Sequence, residues 1–392
     1  MPSTFPNIKA LYTDPEKKAV IEGLVLGYAS EKKANGSTDG SVNGDSPDRF
    51  EKSVLYFLAQ HYIYILSRDL EKAMEYIDRL IEMEPKSVDY NQMKARIWKH
   101  YGDTQKAAET MNYARECDLK DRYINTKCAK YQLRNNENDK ALETMSKFTR
   151  NETVGGPLGD LHDMQCMWYL IEDGQAYLRQ NMLGLALKRC TAIADIFDTW
   201  QEDQFDFHSF SLRKGQIRAY VDMIRWEDRL RSHPFFAQAA LLAIEVYLRI
   251  HDNPDVAKEG NPDLDKLEPN ERKKALKKLQ KEQEKAKKAE AEKKAAAAAK
   301  ASAKNEDGET KKEDTDPKGE KLVNTKEPLE AALRFLRPIL EFAPRNIEAQ
   351  NLGFQVYLRK SESSHARLQK LSANTLQTSL YSLSSVCLLP MR

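Results

Sequence analysis

The sequence has 392 residues, of which 31% are charged and 41% hydrophobic, with 62 Lys and Arg against 60 Asp and Glu. That length suits two or three ordinary domains or one extended repeat array, and the sparse Gly (16) and Pro (15) argue against turn-rich sheets. Five cysteines (Cys117, Cys128, Cys166, Cys190 and Cys387) with no C-x-x-C pair argue against a disulfide framework and against a structural zinc site.

In chain order, residues 1–30 are expected to begin a helical array. They lack the basic start and apolar run of a secretory signal. No later stretch approaches the roughly 18 apolar residues needed to span a bilayer. The most apolar one, Ala239 to Ile250, is interrupted by Glu245 and Arg249. With reduced, buried thiols, this predicts a cytoplasmic protein. Residues 31–49, rich in Gly, Ser, Asn and Asp, read as a flexible loop.

Residues 50–254 carry the repeat signal. Ala73, Ala107 and Ala141 are spaced by 34 residues. Around each, the same offsets return comparable residues: Ile77, Met111 and Met145 four later, then Leu80, Ala114 and Phe148 seven later. Tyr64, Trp98 and Gln132 lie nine earlier, and His61, Ala95 and Ala129 twelve earlier. A 34-residue period with small residues at fixed places is the tetratricopeptide pattern. Two antiparallel helices pack closely only where a small side chain lets their backbones approach, and larger side chains fill the groove to the next pair. A fourth unit sits on Ala186, with Gly174 and Tyr177 upstream and Ile193 downstream. Further amphipathic helices follow, through "SFSLRKGQIRAYVDMIRWEDRL" and "PFFAQAALLAIEVYLRIHD".

Residues 255–325 read as a charged low-complexity insertion. Within it, residues 271–304 hold 12 Lys, one Arg and 5 Glu without an apolar stripe, which predicts an exposed basic helix. That helix reads either as a solubilising linker or as a handle for RNA-rich surfaces. Asn305 to Glu320 is acidic and is expected to lack structure. A further hairpin on Ala332, Leu336, Ile339 and Pro344 occupies 326–360, and 361–392 is a Ser- and Leu-rich tail.

No phosphate-binding G-x-x-x-x-G-K-[ST], zinc-binding H-E-x-x-H or nucleophilic G-x-S-x-G motif occurs. His208, flanked by aromatics, reads as a satisfied core histidine, and Glu202, Asp203 and Asp206 as capping or solvated acids. "GSTDGSVNG" has the glycines of an anion-binding turn but no preceding strand. No metal site is expected.

The concave face is more informative. In tetratricopeptide geometry the first helix of each pair lines a hollow. Counted along the second unit, this face presents Asp89, Gln92, Arg96, Lys99 and His100. Along the third it presents Tyr123, Thr126, Lys130, Leu133 and Arg134, with Lys127 adjacent. Like charges gathered in a shielded hollow are unfavourable unless an anion occupies it; an ordinary solvated basic face is the other reading. The matching positions of the first unit, Leu58, Tyr62, Ile65 and Leu66, predict an apolar surface for a partner helix.

"KARIWKHYGD" (Lys94 to Asp103), "DRYINTKCAKY" (Asp121 to Tyr131), "MQCMW" (Met164 to Trp168), "DQFDFHSF" (Asp203 to Phe210) and "HPFFAQAALLAIEVYLRIHDNP" (His233 to Pro254) occur in this order. Together they resemble the auxiliary, ribosome-anchoring subunit of the N-terminal acetyltransferase A complex, from Ala10 to about Lys360. The resemblance implies an all-α fold of tetratricopeptide-like hairpins forming a right-handed superhelical solenoid, here a partial ring. It implies a non-catalytic scaffold that wraps a smaller catalytic subunit. That partner would use acetyl-CoA to acetylate the α-amino groups of nascent chains, preferring small first residues, while the scaffold docks the heterodimer on the ribosome. It also implies inositol hexakisphosphate as a structural ligand at Arg96, Lys99, His100, Arg122, Tyr123 and Lys127, with Lys94 and Lys130 at the margin. The resemblance begins part-way into the family's sequence, and residues 361–392 depart from it. Two other readings remain: a generic repeat adaptor that clamps a chaperone peptide, whose Asn set is not found, and an acetyltransferase in its own right.

Overall fold

A computed structural model describes residues 4–34, 47–152, 155–254 and 316–360. Most of the loop expected at 31–49, most of the expected insertion with its basic helix 271–304, and the tail 361–392 lie outside the described residues. Every regular element among the described residues is helical. The chain divides into two compact units, residues 1–150 and 151–392.

In the first unit a short helix α1 (Thr4–Ile8) and a 3-10 turn (Lys9–Thr13) lead into α2 (Pro15–Ala34). Three hairpins follow: α3 (Pro47–Ile63) with α4 (Leu70–Met83), α5 (Val88–Tyr101) with α6 (Thr104–Cys117), and α7 (Arg122–Arg134) with α8 (Asn138–Ser146). Because α4 also packs on α5, and α6 on α7, successive pairs stack. This is the tetratricopeptide arrangement predicted from the 34-residue spacing. Ala73, Ala107 and Ala141 are all buried, as are His61, Ala95 and Ala129 on the facing helices. Ile77, Met111 and Met145 continue the same buried stripe. Phe148 lies beyond the end of α8, so the third pair has a shorter second helix than its spacing suggests.

The starts of these helices are set by side chains at the same period. Asp69 and Asp103, 34 residues apart, accept the Lys72 and Lys106 amides at 3.1 and 2.8 Å. Asp121 does the same for α7 through the Tyr123 amide at 2.9 Å. Each such cap contributes about 1 kcal/mol. Asn91 and Asn125, also 34 apart and buried, clamp the turns between pairs. Each side-chain amide donates to the carbonyl six residues back, Pro85 at 2.9 Å and Leu119 at 3.2 Å, and also to the carbonyl four residues back, Ser87 and Asp121 at 2.8 Å.

The second unit is built around α14. Its elements are α9 (Gly156–Asp163), α10 (Met167–Arg179), α11 (Leu183–Glu202), α12 (Gln204–Arg213), α13 (Ile217–Glu227) and α14 (Pro234–Asp252). A one-turn α15 (Glu320–Val323) lies at the end of the segment expected as an insertion, and α16 (Pro328–Phe342) and α17 (Ile347–Arg359) follow it. Helix α14 packs on α10, α11, α16 and α17, which is why it carries the most apolar stretch of the sequence. No helix among the described residues is long and apolar enough to cross a membrane. Ala186 and Ala332 are buried, as their placement in repeat units predicts. The buried Arg189 guanidinium is neutralised by Asp173 at 2.6 Å. At the end of α14, Asp252 takes a two-point hydrogen bond from Arg359 at 2.7 and 2.8 Å, which ties α17 down and holds the Asp252 carboxyl at about 2.

Residues 316–320, the described end of the stretch Asn305 to Glu320 expected to lack structure, are held by specific contacts, while 305–315 lie outside the described residues. Lys188 donates to the Asp316 carbonyl at 2.6 Å, and the Asp316 carboxylate caps α15 through the Glu320 and Lys321 amides. The backbone at 318–319 lies directly on Gly184, where an added Cβ would collide with the Lys318 carbonyl oxygen. Gly184→Ala is therefore expected to destabilise the protein by about 1–3 kcal/mol in urea denaturation. Gly27→Ala, in an open helical position with nothing within 4 Å, is expected to gain roughly 0.5–1 kcal/mol.

Candidate functional site

Helix α5 is the source of the charge. Its last two turns place Arg96, Lys99 and His100 on one face, because residues three and four apart in a helix are neighbours. Helix α7, the first helix of the next pair, brings Lys127 and Arg134 to the same region, and the turn before α4 brings Arg68. Burial and then the charges of Arg96, Arg134, Lys127 and Arg68 push the Lys99 ammonium below the usual lysine range. Burial followed by Lys99, Arg68 and Arg96 lowers the His100 imidazole to about 4. Among the described residues, no carboxylate pairs with Arg96, Lys99 or Lys127. The group is held together by the stacking of the helix pairs and not by its own electrostatics.

The other predicted site residues fall around this cluster with different roles. Tyr123 is exposed, accepts a hydrogen bond from Gln92 at 3.2 Å, and has the Lys127 ammonium over its ring at 5.3 Å. Gln92 and Tyr123 thus tie α5 to α7 at the rim. Arg122 is exposed in the first turn of α7 and Lys130 is half-buried two turns on. Lys94 forms a 2.7 Å ion pair with Asp78 of α4, so its charge is already neutralised. Arg68 escapes a helix-face count because it lies in a turn. Arg134 sits on the counted face and joins the charges acting on Lys99.

Of the four first-unit residues expected to form an apolar surface, two lie in the interior and two are exposed. Leu58 and Tyr62, 0% and 3% exposed, belong to the interior. Helix α2 covers α3 there: Val25, Leu26 and Ala29 pack on this core, and the Tyr62 hydroxyl donates to Glu22 at 2.8 Å. Tyr76 stacks on the other side of Tyr62 at 5.9 Å. Ile65 and Leu66 are exposed, at 69% and 43%, but they lie past the end of α3 on a 3-10 turn. The count assumed that α3 continues to Leu66, whereas it stops at Ile63.

A second surface was not singled out from the sequence. Helix α13 has no buried residue, although its apolar positions recur at helical spacing. With α12 it displays Phe210, Leu212, Ile217 and Val221, all exposed, bordered by Arg213, Lys214, Arg218 and Arg225. The hairpin is closed internally: His208 meets the Tyr220 hydroxyl at 3.0 Å and lies 3.7 Å from Glu227. His208 therefore joins two helices at the surface instead of sitting in a core. Glu202 and Asp203 are exposed at the junction of α11 and α12.

The described residues contain no group of His, Cys, Asp and Glu that could hold a metal ion. Cys128 and Cys190 are buried, and burial pushes the Cys128 thiol up to about 11, so neither is poised as a nucleophile.

The sequence matches the family described as "N-terminal acetyltransferase A, auxiliary subunit" over residues 1–373, which runs past Lys360 into the segment read as atypical. It is 45% identical over 369 residues to "N-alpha-acetyltransferase 16, NatA auxiliary subunit" of Mus musculus, covering 92% of this chain and 42% of that protein. It is 40% identical over 362 residues to "N-terminal acetyltransferase A complex auxiliary subunit NAA15" of Arabidopsis thaliana, covering 92% and 40%. A solved structure titled "Structure of Naa15/Naa10 bound to HypK-THB" superimposes with a TM-score of 0.72 at 45% identity, covering 98% of this chain and 50% of that one. The chain belongs to the N-terminal acetyltransferase A auxiliary-subunit family, and it spans less than half the length of these curated relatives.

The uncompensated cluster generates a prediction for the chain without ligand. Lys99→Met should raise its melting temperature at low salt, because it removes the most crowded of the like charges. Going from about 50 mM to about 500 mM NaCl should stabilise the unaltered protein more than the variant, since salt screens such repulsion. Equal salt responses would show that the charges do not strain the fold.

Proposed function

We propose that this chain is a non-catalytic scaffold of an N-terminal acetyltransferase A complex, holding a catalytic subunit in position for co-translational acetylation of nascent N-termini. The observation that carries the reading is α13, an amphipathic helix with no buried residue in a chain of this family. An apolar face left open beside Arg213, Lys214, Arg218 and Arg225 suits an apolar helix with an acidic border on a partner protein. Acetyl-CoA would bind only to that partner. Ile65 and Leu66 offer a smaller apolar contact beside the basic cluster.

The second element of the proposal is the ligand. Arg96, Lys99 and Lys127 gather positive charge that no carboxylate among the described residues pairs with, His100 adds an imidazole beside them, and Arg68, Arg134, Arg122, Tyr123 and Lys130 border the group. A compact polyanion such as inositol hexakisphosphate fits this chemistry, since several cations on a rigid frame match several phosphates without reorganisation. It would act as a structural ligand, stabilising the folded state by binding it alone. In the same reading the protein is cytoplasmic, and the basic segment 271–304 within an insertion at 255–325 contributes to ribosome docking. The repeat domain at 50–254 and the hairpin at 326–360 form the frame.

Two experiments test these elements separately. On co-expression, the chain should co-purify with the catalytic subunit, and Ile217→Glu with Val221→Glu should abolish this while leaving the melting curve of the chain alone within a few degrees. Undiminished co-purification would move the docking surface elsewhere. Inositol hexakisphosphate should raise the melting temperature, and Arg96→Ala, Lys99→Ala and Lys127→Ala together should remove that gain. Acetylation of a Ser-starting peptide by the purified chain alone would overturn the non-catalytic assignment.

A further inference from the structure

The basic cluster contains one group whose ordinary pKa lies near neutrality. His100 is in the last turn of α5, next to Lys99 and four residues after Arg96, and it is only half-exposed. The charges that face it are all positive: Lys99 and Arg96 from its own helix, and Arg68 from the turn before α4. Behind Lys99 stand Lys127 and Arg134 of α7. The nearest acids of the preceding pair, Asp69 and Glu71, act on Tyr101 instead, and Asp69 is engaged by Lys72 at 3.1 Å. Without a ligand the imidazole is therefore neutral. It has one N–H to donate and one nitrogen lone pair, and that lone pair repels a phosphate oxygen.

A polyanion seated among Arg96, Lys99 and Lys127 reverses the sign of this environment. Its charge cancels the field of the surrounding cations, and its oxygens accept from both nitrogens of an imidazolium. We infer that polyanion binding at this cluster draws one proton from solvent onto His100, so that the ligand is held by an imidazolium that exists only in the occupied site. The inference rests on the polyanion reading of the cluster. It adds a regulation: occupancy strengthens as pH falls through the neutral range. One linked proton changes the binding constant by at most about tenfold per pH unit. Tightening of roughly ten- to thirtyfold is expected between about pH 7.5 and about pH 6.0.

Phosphate ligands also titrate in this range and shed protons in a cationic site, which would mask the effect. The probe of choice is inositol hexakissulfate, whose groups stay ionised, run beside the hexakisphosphate. Isothermal titration calorimetry of the full chain near neutral pH, in two buffers of different ionisation heat, reads the protons exchanged. The expected result is uptake approaching one proton per hexakissulfate bound, with His100→Gln retaining binding but showing neither uptake nor pH-dependent affinity. Should that variant fail to fold, Lys99→Met takes its place: uptake retained in it assigns the proton to His100, and uptake lost in it overturns the inference. Binding with no uptake, or uptake that persists in His100→Gln and so belongs to Lys99, overturns the inference and leaves the polyanion site standing. Failure of both ligands to bind at every pH overturns the site itself.

Discussion

Everything in the first unit depends on how closely two helix backbones can approach. Ala73, Ala107 and Ala141 set that distance in the three pairs, each buried against its partner helix. A side chain larger than a methyl group at these points would push the helices apart, since interiors packed at crystal-like density absorb added volume poorly. Close pairing lets each pair stack on the next. Stacking brings the inner faces of α5 and α7 together, and with them Arg96, Lys99, His100, Lys127 and Arg134. The alanines thus carry no chemistry, yet they are the reason that the charges stand side by side.

This explains how Arg96, Lys99 and Lys127 can persist side by side without a paired carboxylate among the described residues. The cost, distributed over Lys99 and its neighbours, is small compared with the apolar burial that stacks the helices. A protein that neutralised these residues internally would have little to offer an anion, and Lys94 shows the alternative. That residue lies on the same helix but is bound to Asp78 of α4, and it is thereby removed from the reckoning. The contrast between Lys94 and Lys99 marks which cations are committed to the fold and which are left for a ligand.

The sequence disclosed periodic features and concealed terminal ones. Spacing located the buried alanines, and the helix-face count found Arg96, Lys99 and His100, because both follow from the regular geometry of a helix. Arg68 was invisible to the same count because a turn has no face. Leu58 and Tyr62 read as surface positions because nothing in the residues themselves announces that α3 ends at Ile63 or that α2 lies over it. The α12 and α13 surface was legible as two amphipathic helices, yet amphipathicity ordinarily means burial. Only the packing of the folded chain separates an apolar face that is covered from one that is open.

The amides of Asn91 and Asn125 have a broader consequence. Each holds its inter-pair turn through a side chain that reaches six residues back, and Gln350 does the same to the Pro344 carbonyl at 2.9 Å in the other unit. The turns so held differ in sequence: Pro85-Lys86-Ser87 in one and Leu119-Lys120-Asp121 in the next. The geometry belongs to the amide and not to the turn residues. The four-residue connectors, 84–87 and 118–121, are therefore interchangeable parts. Exchanging one for the other should preserve the angle between neighbouring pairs, whereas shifting the amide by a single position should lose it.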